Sequence, residues 1–244
     1  MTSKPSLGIL TGISYISGID YFAGINRAVV AGAPNGRIMS PNPSMVMVSL
    51  DCDRYVHLLT ARAYREVDEY LLVGVDKLVA AGCDTLVIAS NTGHICVPAI
   101  HEKYPDLNIL HIADCCATEL LDHGHRKIAL LGTQPTMEET YLKGRLAEHG
   151  IDAIIPAEAS DRARIYDIIC QELSFNILRD KSRDYLIQII RDLGDQGADA
   201  CLLGCTEIEL LIQQQHIPDV PLFPSAQIHI AAAANLLLDS PSTH

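Results

Sequence analysis

The sequence predicts an α/β protein made of two similar halves, each a parallel sheet covered by helices on both faces. Three observations predict it. Apolar runs of strand length alternate with stretches of helical spacing almost throughout the 244 residues. The strand runs are nearly continuous in apolar residues, as strands buried on both faces are. The second half also repeats the first. When "QGADACLLGCTE" (196–207) is written under "AGCDTLVIASNT" (81–92), Gly197 falls under Gly82, Asp199 under Asp84 and Cys205 under Ser90. "IALLGT" (128–133) likewise resembles "LGILTG" (7–12).

The elements follow in order. "SLGILTG" (6–12) is an apolar run ended by glycine, a strand. "ISGIDYFAGINRAVVAG" (16–32) has helical spacing, and "SMVMVSL" (44–50) is the second strand. Residues 55–82 read as one long helix. "TLVIA" (85–89) is a strand, "ICVPAIHEKY" (95–104) a helix and "LNILHIA" (107–113) the fourth strand. The pattern then restarts with strand "KIALLG" (127–132), helix 136–150, strand "DAIIP" (152–156), a long helix over 161–194, strand "ACLLG" (200–204) and helix 207–215. The proline-rich "HIPDVPLFPSAQ" (216–227) is expected to cross back to the first half, where "IHIAAAANLLLDS" (228–240) forms a last helix. With the boundary near "HIADCCATEL", the N-terminal half comprises 1–112 plus 218–244 and the C-terminal half 113–217.

Composition narrows the function. Hydrophobic residues make up 48% of the chain and charged residues 20%, which is the balance of a globular protein. A net charge of −12, spread along the chain, argues against nucleic acid or an anionic membrane as partner. No apolar run reaches the ~20 residues of a membrane-spanning helix. The start "MTSKPSLGIL" has one lysine, a proline and no cleavage-like site, so no signal segment is read and the cytoplasm is expected. The eight cysteines form no C-x-x-C pair and mostly lie in apolar segments, so they are read as reduced thiols. His123 and His125 are a candidate metal pair that no further ligand joins at suitable spacing, so no metal is expected.

Ser90 and Cys205 stand at carboxyl ends of strands, the edge where open α/β sheets bind ligands, and a cleft between the halves is expected there. Each turn places a small nucleophilic side chain at a helix start, where free N–H groups bind anions. That field is expected to favour the Cys205 thiolate. Asn91, Thr92 and Thr206 can cap the helices or hold a ligand carboxylate. Gly12, Ile13 and Ser14 form the loop after the first strand, and Ser49 and Asp51 end the second. Glu207 either positions a ligand or supports its helix.

"GCTEIELLI" (204–212), "SNTGH" (90–94), "GILTGIS" (8–14), "VSLDCD" (48–53) and "LLGTQPTMEETY" (130–141) resemble, in order and over nearly the whole chain, signature segments of the aspartate/glutamate racemase family. The glycine-cysteine-threonine-glutamate piece is the most specific and resembles the aspartate racemase branch. The resemblance implies two α/β domains about a pseudo-twofold axis, a homodimer, no cofactor, and a small amino acid as substrate. It implies an isomerase that interconverts L- and D-aspartate. In such enzymes two cysteines face opposite sides of the α-carbon, one removing the α-proton as thiolate and the other donating one as thiol. Cys205 matches the second cysteine. Thr133 and Thr136 match family threonines, and His94 matches a histidine common after the first motif.

The sequence departs from that pattern twice. Ser90 occupies the place of the first cysteine, either natively or as an engineered replacement. A thiol titrates near about 8.5, within reach of local tuning, whereas a serine hydroxyl rarely ionises without a partner base. Ser90 is therefore expected to give a proton far more readily than it takes one. Members that handle acidic amino acids also carry a basic residue just before the second strand and often another after the long helix of the second half. Here "SPNPSMVMV" and "CQELSFNILRDKSR" supply no clear match, and Arg37, Arg54, Arg162 and Arg164 are the possible substitutes. Two alternatives stand beside the racemase: a one-cysteine isomerase or decarboxylase of the same superfamily, and a small-ligand binding protein that has lost turnover.

Overall fold

The computed structural model describes residues 6–33 and 39–239. Arg37 and residues 1–5, on which the leader reading rests in part, lie outside them. The chain divides into two compact units, Met1–His111 with His229–His244, and Ile112–Ile228.

In unit 1, β1 (Leu7–Thr11) leads into α1 (Tyr15–Gly32), and β2 (Met45–Ser49) into α2 (Cys52–Thr60) and α3 (Tyr64–Ala80). Then come β3 (Thr85–Ile88), a 3-10 turn (Thr92–Cys96), α4 (Val97–Lys103) and β4 (Asn108–Ile109). All pairings are parallel and the strand order is β2-β1-β3-β4. The central strands β1 and β3 are buried at every residue, while the edge strand β2 is partly exposed. The continuous and the weaker apolar runs thus sort into centre and edge. One face of the sheet carries Leu10, Leu86 and Ile88 against Leu71, Val75 and Leu78 of α3 and Ile100 of α4.

Unit 2 runs α5 (Ile112–Asp122), β5 (Lys127–Gly132), α6 (Gln134–Glu138), α7 (Thr140–Glu148), β6 (Asp152–Ile154) and α8 (Ala159–Gln171). It continues through α9 (Asp180–Asp195), β7 (Ala200–Gly204), α10 (Ile208–Leu211) and β8 (Leu222–Pro224). Its sheet is also parallel, ordered β6-β5-β7-β8. β5 and β7 therefore hold the places of β1 and β3, and the sequence repeat aligns central strand with central strand. Gly82 and Gly197, paired in that repeat, have φ of +83° and +98° just past α3 and α9, the left-handed turn that glycine ends a helix with. A last helix, α11 (Ser225–Asp239), begins in unit 2 and ends in unit 1. A Cβ on Gly24 of α1 would lie 2.9 Å from Ile230 of α11, so the missing side chain lets these two helices close up.

Several expected elements differ. The helix over 55–82 is two, broken at Ala61–Ala63, where Arg62 takes a left-handed φ of 52°. No glycine or proline marks that break. The fourth strand pairs over only two residues, and the chain turns into α5 at Ile112. The helix over 136–150 splits at the extended Glu139, and that over 161–194 at a 3-10 turn ended by Asn176 with φ 56°. Residues 218–228, read above as part of the N-terminal half, lie in unit 2 because β8 pairs with β7 and extends its sheet. Among the described residues no helix is long and apolar enough to cross a membrane, and no three His, Cys, Asp or Glu side chains cluster as metal ligands. His123 and His125 turn to different partners, the Glu119 carbonyl at 2.9 Å and the Asp199 carboxylate at 3.1 Å.

Candidate active site

The carboxyl edge of the unit 1 sheet gathers three loops. Gly12 follows β1 with φ +86°, and a Cβ there would lie 2.1 Å from the Leu50 nitrogen and 2.2 Å from its oxygen. Only glycine lets the loop Gly12–Ser14 run so close to the end of β2, where the Leu50 N–H donates to the Thr11 carbonyl at 2.9 Å. Replacing Gly12 by alanine is expected to cost about 3 kcal/mol through the clash and the strained φ. Urea denaturation measures it, and an unchanged midpoint refutes this account of the loop. Ile13 reaches back over the β3 turn, since a Cβ on Gly93 would sit 2.7 Å from its Cδ1. Its carbonyl accepts from the Cys52 thiol at 2.9 Å. Ser14 caps α1 with an extended backbone and no side-chain cap bond. Ser49 pairs with Thr11 and is exposed. Asp51 caps α2, accepting from the Asp53 N–H at 3.0 Å.

Ser90 lies at the end of β3. Its hydroxyl oxygen accepts from the Gly93 N–H at 3.2 Å, and its carbonyl accepts from His94 Nδ1 at 2.7 Å, so that nitrogen of His94 carries the hydrogen. Asn91, Thr92 and His94 are buried. The His94 ring stands 4.7 Å from His111 and 5.8 Å from His229. His229 donates from Nε2 to the Leu110 carbonyl at 2.8 Å and accepts from Tyr21 at 2.9 Å. Burial first, then His94, push the His229 pKa down to about 3, so the ring is neutral. His94 thus ties the backbone of the Ser90 turn to the buried rings of His111 and His229.

The matching edge of unit 2 is built from β5 and β7, whose last residues Gly132 and Gly204 are in register. Thr133 caps α6, accepting from the Thr136 N–H at 3.4 Å. Its hydroxyl meets that of Thr136 at 3.0 Å, and Thr136 meets Tyr141 at 2.8 Å. Thr136 is fully buried, so it serves as a support beneath the half-buried Thr133. Beside them Cys205 is 5% exposed and Glu207 7%. The Cys205 thiol donates to Glu207 Oε2 at 3.1 Å, and the Thr206 hydroxyl donates to the same oxygen at 2.6 Å.

The electrostatics of Cys205 reverse an expectation. Its pKa is raised well above the ordinary thiol value, by burial first, then by the Glu207 charge and hydrogen bond. N–H groups of Glu207 and Ile208 pull the other way but do not prevail. The helix expected to favour thiolate is α10, only four residues long, so little dipole accumulates. At the other edge Ser90 precedes a five-residue 3-10 turn and the seven-residue α4. Neither edge therefore carries a helix long enough to build up much dipole.

The sequence reading named the Glu207 position but not its contact with sulfur, although the Cys-x-Glu spacing carried that signal. It missed Tyr141, five residues beyond Thr136 in the same segment. Of the substitute arginines, Arg162 is held by Glu138 at 2.9 Å and by the carbonyls of Pro156 and Ala157. Arg54 lies over the Tyr70 ring at 4.8 Å, and Arg164 is exposed.

The chain resembles known proteins over most of its length. The family model described as Asp/Glu/hydantoin racemase matches residues 10–233. A crystal structure from Yersinia pestis, its protein provisionally named an Asp/Glu racemase, is 34% identical with a TM-score of 0.85, over 96% of this chain and 100% of that one. An aspartate racemase homologue from Pyrococcus horikoshii is 24% identical with a TM-score of 0.78, over 96% and 99% of the two chains. Glutamate racemase from Aquifex pyrophilus shares the fold at 18% identity, with a TM-score of 0.64 over 94% and 83%.

Proposed function

Because the chain belongs to the Asp/Glu/hydantoin racemase family, we propose that it is an amino-acid racemase that interconverts L- and D-aspartate without a cofactor. Cys205 is the acid–base group on one face of the α-carbon, and Ser90 donates a proton to the other. One observation carries this reading: Ser90 and Cys205 follow β3 and β7, the strands that hold the same place in two sheets of the same order. Asn91, Thr92 and Thr206 supply donors for the α-carboxylate, where charge develops as the α-proton leaves. Gly12–Ser14, Ser49 and Thr133 line the edges they stand on. As the family resemblance implies, the enzyme acts as a homodimer.

The two faces are not equivalent. Among the described residues the hydrogen bond to the Ser90 hydroxyl oxygen comes from the Gly93 N–H, a donor. That bond occupies a lone pair and leaves the hydroxyl hydrogen free to be given away. Among the described residues no side chain takes it, and without a base a serine is a poor proton acceptor. Deuterium from solvent is therefore expected to enter one enantiomer of aspartate at least about a hundredfold faster than the other. Nuclear magnetic resonance on each enantiomer reads the two rates. Equal rates would show that Ser90 abstracts as readily as it donates, and the assignment of roles fails. The oxygen at Ser90 also favours a second reading, one-sided carbanion chemistry by a decarboxylase or isomerase. Release of carbon dioxide, or exchange without any change of configuration, separates these from racemisation.

A further inference from the structure

We propose that Glu207 is the proton partner of Cys205, taking the thiol hydrogen before the sulfur attacks and passing it on to solvent afterwards. The inference rests on the reading of Cys205 as the acid–base group and replaces the two roles first considered for Glu207, ligand positioning and helix support. Three features carry it. The thiol points at Glu207 Oε2 across 3.1 Å, a direct path for the proton. The Cys205 thiol is buried, 5% exposed, so the carboxylate beside it is the nearer acceptor for that hydrogen. The Thr206 hydroxyl donates to the same Oε2 at 2.6 Å, which fixes the carboxylate with that oxygen toward the sulfur. A carboxylate that merely supported α10 would bond to the helix's own N–H groups, yet no side-chain cap bond forms at that helix start.

The proton count closes. The resting pair is thiol and carboxylate. The S–H bond breaks, an O–H bond forms on Glu207, and the sulfur keeps the electron pair. The thiolate then takes the α-proton, forming S–H, and the C–H electron pair spreads into the substrate carboxylate. Ser90 gives its hydroxyl proton to the opposite face of the carbanion, and solvent reprotonates the resulting alkoxide. Glu207 loses its proton to solvent, which restores the resting pair with no net gain or loss. Cys170 on α8, itself hydrogen-bonded by Tyr166, also senses the Glu207 charge, so both thiols must be followed in any titration.

Replacing Glu207 by glutamine separates this role from a purely electrostatic or structural one, because two readouts move in opposite directions. The carboxylate charge and hydrogen bond both hold the thiol proton on. Their loss should let Cys205 ionise at lower pH. This is read as thiolate ultraviolet absorbance against a Cys205→Ser control, and as peptide-resolved alkylation that distinguishes Cys205 from Cys170 and the exposed Cys52. Aspartate α-proton exchange near neutral pH should nevertheless fall ten- to a hundredfold, since the base is gone. Its pH profile should follow the fraction of thiolate. Glu207→Asp, which keeps a carboxylate one methylene back, should recover part of the exchange. If exchange in the glutamine variant stays level or rises with its thiolate, Glu207 is no proton partner. The titration needs no substrate, so an unshifted thiol overturns the pairing whatever amino acid is turned over. A shifted thiol in a wild-type enzyme that exchanges no aspartate overturns the substrate reading instead.

Discussion

Replacing Cys205 by alanine is expected to slow α-proton exchange in both enantiomers of aspartate by at least about a thousandfold, the upper part of the range for loss of a positioned acid–base group. The expectation follows from what else stands near. Glu207 is turned onto the Cys205 sulfur, and among the described residues no side-chain base is hydrogen-bonded to the Ser90 hydroxyl. Without sulfur neither face can remove the α-proton. The substitution leaves the Thr206–Glu207 bond and the buried wall of β7 intact, and it removes only one small buried atom. Folding should therefore lose only about 1 kcal/mol, a cost of the order of one buried methylene. Cys205→Ser is the sharper companion, because a hydroxyl can keep the bond to Glu207 while losing the accessible ionisation of a thiol. Both variants should fold and both should be nearly inert. Exchange that survives in Cys205→Ala would assign the abstraction to another group and remove the basis of the proposed mechanism.

The amino-acid sequence makes the central sheets legible and the helix breaks illegible, for physical reasons that individual residues show. β1, β3, β5 and β7 stand out because a strand buried on both faces needs apolar residues at every position, and few other settings do. The edges that matter for chemistry follow directly, since Ser90 and Cys205 come just after such runs. By contrast, α2 and α3 part at Arg62, which adopts a left-handed conformation without the glycine or asparagine that normally signals it. The Asn176 break between α8 and α9 carried a signal, asparagine being the residue that tolerates that conformation best after glycine. β8 was hidden by its prolines. Only three residues pair, at an edge of the sheet, where proline is tolerated.

The ionisation of Cys205 was misread for a related reason. Sequence spacing places the cysteine at a helix start but does not give the length of that helix or the direction of the glutamate two residues on. α10 ends after four residues, and Glu207 turns back onto the sulfur instead of outward. Burial first, then the Glu207 charge and hydrogen bond, outweigh a short helix, so the sign of the shift reverses. Under the proposed mechanism a raised thiol has a use. A thiol that stays protonated until a partner takes its hydrogen can donate in one direction of the reaction and abstract in the other.

Ser90→Cys is expected to have the largest effect in the opposite sense, raising exchange of the slower enantiomer by about a thousandfold and bringing the two enantiomers' rates toward equality. The turn around Ser90 suits the larger atom. Ser90 is half-buried, the Gly93 N–H already aims at its side-chain oxygen, and Gly93 has no Cβ to crowd it. The same N–H can hold a thiolate, and a thiol needs far less help to ionise than a hydroxyl. Ser90→Ala supplies the complementary test. It removes the donor on that face but leaves Cys205 and Glu207 untouched, so exchange of the faster enantiomer should continue while its conversion to the mirror image stops. Deuterium would then enter with retention of configuration. The two substitutions together isolate the one atom at issue. If sulfur at position 90 changes neither the slower rate nor the ratio of rates, the Ser90 side chain does not face the reacting carbon, and the donor to that face must be sought among its buried neighbours Asn91 and Thr92.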